Sequence, residues 1–520
     1  MPLPPCALRR VALLLLAATL ALPPSVPAGA QPASDARNAL PSLGDGAAEG
    51  FTVAAERRLG DRIMRELRRD RDYLDDPLLL DHLQRMWDGL IAAARARGDI
   101  TPELAERFAW ELFLVRDRSV NAFALPGGYI GVHLGLVAVT ATSDELASVL
   151  AHELSHVSQR HIARSVDAGK GASFAGIASL ILGVLVAGRS PEAAQALITG
   201  GQAVSMQGRL NFSRDMEREA DRVGYGVLSG AGYAPSGMAA MFEKLQQAAR
   251  LNDSQNFPYL RSHPLTTERI GEARARLGID GAAPPPRTLS YALLQARARV
   301  LMDTRDAALQ RAQDFDRRLP GADAPLERAA ALYTSALASV LRRDVARADA
   351  AIAALRPLVE GDAQARPVLE LLALQARIDR GDAAGAAALY ARAALPDSRP
   401  AMLAQSQIAL LPGSTAALQR EAAERLQTWL AEHGGDALAW GQIAQLWGRL
   451  GEPLRSVRAE AESHAAMGDL VGAIERLRAG QRLALGARRS DGVEVSVIDA
   501  RLRELERQRR EQVEEERRGG

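Results

Sequence analysis

"LASVLAHELSHVSQRH", residues 146–161, sets Leu146, Val149, Leu150, Leu154 and Val157 at helical spacing, so one face of this segment belongs to a core. Thr142 and Glu145 just upstream form a T-x-x-E capping box, which marks where the helix begins. His152 and His156 are then i and i+4, one turn apart on the same side of the helix. Ionisable side chains are costly on a buried helix unless something needs them there. Two imidazoles at this spacing can grip one zinc ion, and Glu153 beside them can take a proton from a water on that ion.

A catalytic zinc takes three protein ligands and keeps one position open, so a third ligand must lie elsewhere in the chain. "FSRDMEREADRVGYGVL", residues 212–228, is a second helical stretch and carries Glu217, Glu219 and Asp221. Glu217 and Asp221 share a face, whereas Glu219 points elsewhere. Glu217 as ligand, with Asp221 one turn on to accept the free N–H of a ligand imidazole, is sound zinc architecture. Taken alone, the same segment also reads as a solvated acidic face flanked by arginines.

At 520 residues the chain is too long for one core. Its start carries Arg9 and Arg10, an apolar run from Val11 to Leu22, and Ala28-Gly29-Ala30, the pattern of a secretory signal peptide cleaved after Ala30. Twelve apolar residues are too few to span a bilayer as a helix. The one cysteine, Cys6, precedes the apolar run, so the mature chain holds no thiol or disulfide. Of 64 basic and 63 acidic residues, cleavage removes two arginines and no acid, leaving a net charge of −1. No global electrostatic attraction to nucleic acid or anionic lipid follows, and no nucleic-acid partner is expected.

The expected fold class is mainly α: an α+β metallopeptidase domain with a small sheet, followed by an α-helical, tetratricopeptide-like array. The expected division is a signal peptide at 1–30, a zinc metallopeptidase domain at 31–277, a Gly/Pro linker at 278–288, helical repeats at 289–485, and a charged, exposed C-terminal helix and tail at 486–520. Turns at 342–344, 380–382, 450–452 and 467–469 divide the repeats, and "GDAAGAAALYARA" and "GDLVGAIERLRAG" share one half-repeat pattern. The unequal spacing leaves an irregular helical bundle as the alternative.

H-E-x-x-H followed about sixty residues later by E-x-x-A-D resembles the zinc metallopeptidase family that includes the prenyl-protein proteases and their bacterial membrane relatives. "NAFALPGGYIGVHLGLV", residues 121–137, and "SHPLTTERI", residues 262–270, extend the resemblance, the latter toward a periplasmic subgroup with C-terminal tetratricopeptide repeats. The resemblance implies one zinc per chain held by His152, His156 and Glu217, with Glu153 and Asp221 as catalytic residues. Asp221 is either a proton donor or the group that orients a ligand. It also implies unfolded or misassembled outer-membrane proteins as clients, and outer-membrane assembly machinery as a partner reached through the repeats.

The 121–137 segment alternates as an edge strand does, with a turn at Pro126-Gly127-Gly128, and such an edge binds extended peptides through main-chain hydrogen bonds. An ordinary core hairpin is the other reading. Residues 174–188, nearly all apolar but shorter than a membrane span, suit a buried or lid-like helix with peripheral membrane contact as an option, and Gly200-Gly201 would turn the chain back toward the site. His263, before Pro264, lies in a loop, either as a surface histidine or as an inhibitory fourth zinc ligand. The reading is a secreted zinc endopeptidase whose repeats recruit a substrate or partner. The rival is a chaperone or scaffold with a largely latent protease site.

Overall fold

The computed structural model describes residues 51–168, 212–250, 257–277, 286–318, 324–486 and 492–519. The signal segment 1–30, the apolar run 174–188, Gly200-Gly201 and most of the 278–288 linker lie outside these residues.

Alternation in 121–137 becomes a hairpin. Four strands, β1 (Tyr73–Leu74), β2 (Glu111–Val115), β3 (Ala122–Leu125) and β4 (Tyr129–His133), form one sheet in the order β1-β2-β4-β3. β3 pairs antiparallel with β4, from Ala122 opposite Val132 to Leu125 opposite Tyr129, and lies at the sheet's edge. Gly127 and Gly128 make the turn with φ of 78° and 90°, a region that L side chains rarely enter. Two further strands join this hairpin to complete the small sheet. β2 pairs parallel with β4, and β1 antiparallel with β2. The run Leu112–Val115 is apolar throughout, and such a run looks the same in a buried strand as in a buried helix.

Helices surround the sheet. In chain order they are α1 (Val53–Leu67), α2 (Pro77–Arg97), α3 (Pro102–Arg107), α4 (Leu134–Val139), α5 (Ser143–Ser158), α6 (His161–Ala168), α7 (Arg214–Gly230), α8 (Ser236–Arg250), α9 (Tyr259–Ser262) and α10 (Thr267–Arg276). α2 buries Leu79, Leu83, Met86, Trp87 and Leu90, and Trp87 donates its indole N–H to the Trp110 carbonyl at 2.8 Å. α5 sits at the centre, against α2, α7, α8 and β3, with every residue from Glu145 to Ser158 buried. A helix covered all round has no solvent face on which to place its polar residues, so these must be satisfied inside.

From Leu289 onward the chain is a helical array. Its first helix, Leu289–Leu301, packs on α4, and one continuous apolar cluster runs from Leu79 through Ile408. The four turns read from the sequence all fall between helices and share one geometry. The N–H groups of Asp344, Asp382, Glu452 and Asp469 reach back to the carbonyls of Ser339, Arg377, Trp447 and His464 at 2.9–3.0 Å. This is the six-to-one bond of a Schellman helix end, and it needs a left-handed residue just before it. Gly381, Gly451 and Gly468 supply it with φ of 76–78°, whereas Arg343 adopts φ 59° without being glycine. Asp344, Asp382 and Asp469 then cap the next helix through their side chains.

The C-terminal helix, Gly492–Gly519, departs from the wholly exposed helix expected. It buries Ile498, Leu502 and Leu505 in a cluster with Leu454, Ala461, Ile474 and Leu477. Its abundant charges hid an apolar row at i, i+4 and i+7. Among the described residues no helix is long and apolar enough to cross a membrane.

Candidate metal centre

Thr142 caps α5 as its sequence requires, its hydroxyl accepting the Glu145 N–H at 3.2 Å. The reciprocal half of the box is shifted by one residue: Glu145 accepts the N–H of Ala141 at 2.6 Å and pairs with Lys244. This start sets the helix phase, so His152 and His156 face the same way, with ring centroids 4.7 Å apart and Nε2 atoms 3.0 Å apart.

α7 supplies Glu217, whose Oε2 lies 3.5 Å from His152 Nε2 and whose Oε1 lies 3.5 Å from His156 Nε2. The loop after α9 brings in His263, with Nδ1 3.3 Å from His152 Nε2 and 3.0 Å from Glu217 Oε1. These four buried side chains offer one ligand atom each, all within 4.8 Å of one another. Zinc bonds of about 2.0–2.1 Å in a tetrahedron separate neighbouring ligand atoms by roughly 3.3 Å, so the spacing fits the ion. The electrostatics fit as well. Burial opposes ionisation of Glu217, but His263 and His152 outweigh it and hold the carboxyl well below its usual range. Burial likewise opposes a charge on His152, yet Asp221 and Glu217 raise its pKa to about 9. The carboxylates here are set up to face a positive charge.

Glu153 is fully buried, with neither oxygen in a hydrogen bond of ordinary geometry. His263 Nε2 stands 3.4 Å from its Oε1. Burial pushes the Glu153 carboxyl above the usual range, against the pull of His263 and His152.

Asp221 places Oδ1 2.9 Å from His152 Nδ1, on the side of the ring away from the cluster. Arg269, 3 % exposed, holds Asp221 at 2.6 and 2.8 Å, Glu217 Oε2 at 2.7 Å and the Pro264 carbonyl at 2.9 Å. Sequence reasoning missed Arg269, although it lies in the "SHPLTTERI" segment, because an arginine reads as exposed until its partners are known. It also missed His161. Arg160 has φ 52° and breaks the helix, so His161 begins α6 and returns its Nδ1 to within 2.8 Å of His156 Nδ1. Glu219, read as pointing elsewhere, reaches His161 Nε2 at 3.0 Å. Phe212 stacks on His156 at 3.9 Å and Tyr259 on His263 at 4.5 Å, which restricts both rings.

Residues 81–277 match Peptidase family M48. The beta-barrel assembly-enhancing protease of Escherichia coli strain K12 is 30% identical over 476 residues, covering 91% of this chain and 92% of that protein. Its Yersinia pestis counterpart is 30% identical over 502 residues, 96% of this chain and 98% of that one. A putative beta-barrel assembly-enhancing protease of Vibrio cholerae is 38% identical over 276 residues, covering 52% of this chain and about half, 54%, of the relative.

Proposed function

This chain belongs to peptidase family M48, and from that premise we propose that it is a periplasmic endopeptidase that degrades misfolded or stalled outer-membrane proteins and assists their assembly. It is a zinc-dependent metalloendopeptidase. The observation that carries the site assignment is the convergence of His152, His156 and Glu217 beside the fully buried Glu153. His152, His156 and Glu217 would hold the zinc, which would supply a Lewis acid to the scissile carbonyl and to a water. Glu153 takes the proton of that water and delivers it to the nitrogen of the leaving amine. Asp221, clamped by Arg269, orients His152; a residue so fully engaged is poorly placed to donate a proton. The β3 edge, alongside α5, binds the substrate as an added strand.

The names of the relatives support the outer-membrane reading, and the N-terminal pattern supports a cleaved signal peptide and a periplasmic location. In this reading residues 289–485 form a tetratricopeptide-like array that docks the assembly machinery. His263 favours a second state of the same protein. Its Nδ1 stands among the ligand atoms, and a fourth ligand leaves no position for the attacking water. The enzyme is then latent until the loop is drawn away, and in that state it acts as a scaffold.

Casein cleavage by the mature protein, set against Glu153→Gln, tests the mechanism: loss of about 100-fold or more is expected for a general base, and equal rates would overturn it. His263→Ala should raise basal cleavage with zinc near one per chain. A variant as inactive as Glu153→Gln would remove the latent state. For the cellular role, cells lacking the chain should accumulate unassembled β-barrel proteins, restored by the wild type and not by Glu153→Gln.

A further inference from the structure

The two zinc-helix histidines are backed differently. Behind His152 stands a carboxylate, Asp221, held by Arg269. Behind His156 stands another imidazole: His161 Nδ1 is 2.8 Å from His156 Nδ1, His161 Nε2 is 3.0 Å from Glu219 Oε2, and Arg164 holds that same oxygen at 2.8 Å. His161 is fully buried and Glu219 is partly exposed.

We propose that His161, set by Glu219, is a positioning residue that fixes the ring and tautomer of His156 for zinc. The inference rests on the reading that His156 is a ligand through Nε2. If Nε2 gives its lone pair to the metal, the ring proton must sit on Nδ1, and the group 2.8 Å away must accept it. His161 can accept there only if its own proton is on Nε2, where Glu219 receives it. The proton placement along the chain is thus determined from the carboxylate inward. This gives a role to each acid of the E-x-E-x-D run on α7: Glu217 enters the cluster, Asp221 backs His152 directly, and Glu219 backs His156 through His161. The break at Arg160 makes the contact feasible, since a helix continued past Ser158 would carry His161 round to another face.

The test is zinc affinity of the full chain, measured by competition with a chromogenic chelator, with the visible spectrum of the cobalt-substituted protein as a second readout. Losing such a partner weakens metal binding by about 10–100-fold. His161→Leu, which cannot accept, should show that loss and an altered cobalt spectrum. His161→Asn, which offers a carbonyl oxygen near the Nδ1 position, should stay within a few-fold of wild type. Glu219→Ala, at a partly exposed site that folding tolerates, should lose several-fold while the zinc-free chain melts as the wild type does. Wild-type affinity in both His161→Leu and Glu219→Ala would overturn the proposal, as would equal losses in His161→Leu and His161→Asn. If His161→Leu does not fold, Glu219→Ala decides alone. His156→Ala separates the two readings: full zinc retention there would remove His156 as ligand, whatever His161 does.

Discussion

Buried arginines stand among different neighbours in the two halves of the chain. At the metal centre Arg269 meets two carboxylates, Glu217 and Asp221, and these and Glu153 also face the imidazoles of His152 and His263. In the array the buried arginines pair with aspartates. Arg297 holds Asp76 at 2.7–2.9 Å with both side chains 7 % exposed, and Arg399 bridges Asp75 and Asp436. Both regions bury ions, and among the described residues the centre gathers four possible metal-ligand atoms within 4.8 Å of one another. Buried ion pairs hold elements together, whereas imidazoles and carboxylates converging on one point suit a metal cation.

The most severe way to break that contrast is to remove an imidazole from the cluster. His156→Ala should lower the roughly one zinc per chain, since it removes one of the two imidazoles of the zinc helix and leaves His152, Glu217 and the loop residue His263. Zinc content by atomic absorption checks this, and full occupancy would mean that the helix is not the site.

Breaking a balanced pair should cost stability and leave zinc bound. Asp76 also caps α2, accepting the Leu79 N–H at 3.0 Å. Asp76→Ala strands Arg297 inside and should cost about 3–5 kcal/mol in urea unfolding. A loss below about 1 kcal/mol would show that water reaches the guanidinium.

His82 sharpens the contrast by pH. Burial, with a smaller push from Arg85, lowers its pKa from 6.5 to about 4, and its Nε2 is sealed off without a hydrogen-bond partner against Tyr291 of the array. The folded chain therefore binds fewer protons at this site than the unfolded chain between those two values. Stability from the site is complete above about pH 6.5 and falls as pH drops toward 4, by up to roughly 3 kcal/mol. His82→Gln should flatten that slope in unfolding measured from pH 7 to 4. An unchanged slope would assign the acid sensitivity to other groups.

The smallest effect lies in the array turns. Arg343 sits where the equivalent turns carry glycine, so Arg343→Gly should relieve left-handed strain and raise stability by up to about 1 kcal/mol. A lower melting temperature would mean that the Arg343 side chain contributes contacts exceeding the strain.

Much of this was legible from local pattern. The capping box, the two histidines, Glu153 and the four array turns depend on residues within five positions of one another, and helix geometry alone relates them. The shared face of Glu217 and Asp221 was legible because one turn of helix separates them. β1 and β2 were not, because strand pairing has no local signature: Tyr73 meets Val115, and Glu111 meets Tyr129. The charged C-terminal helix misled because composition outweighed its apolar row.

By itself, then, the sequence determined that a capped, core-facing helix presents two imidazoles and a carboxylate, and that helical turns repeat through the second half. Its reasons were short-range: hydrogen bonds and sterics within a turn or two of helix. The tertiary structure alone decided which distant groups complete the centre. His263 meets His152 across 111 positions, Arg269 reaches Asp221 across 48, and Glu219 reaches His161 across 58. It also decided that Asp75 and Asp76 tie the array to the sheet-bearing half, across 324 and 221 positions. Those contacts exist because closing one shared core brings remote segments within a few ångströms, and inside it an ionisable group must find a partner or a metal.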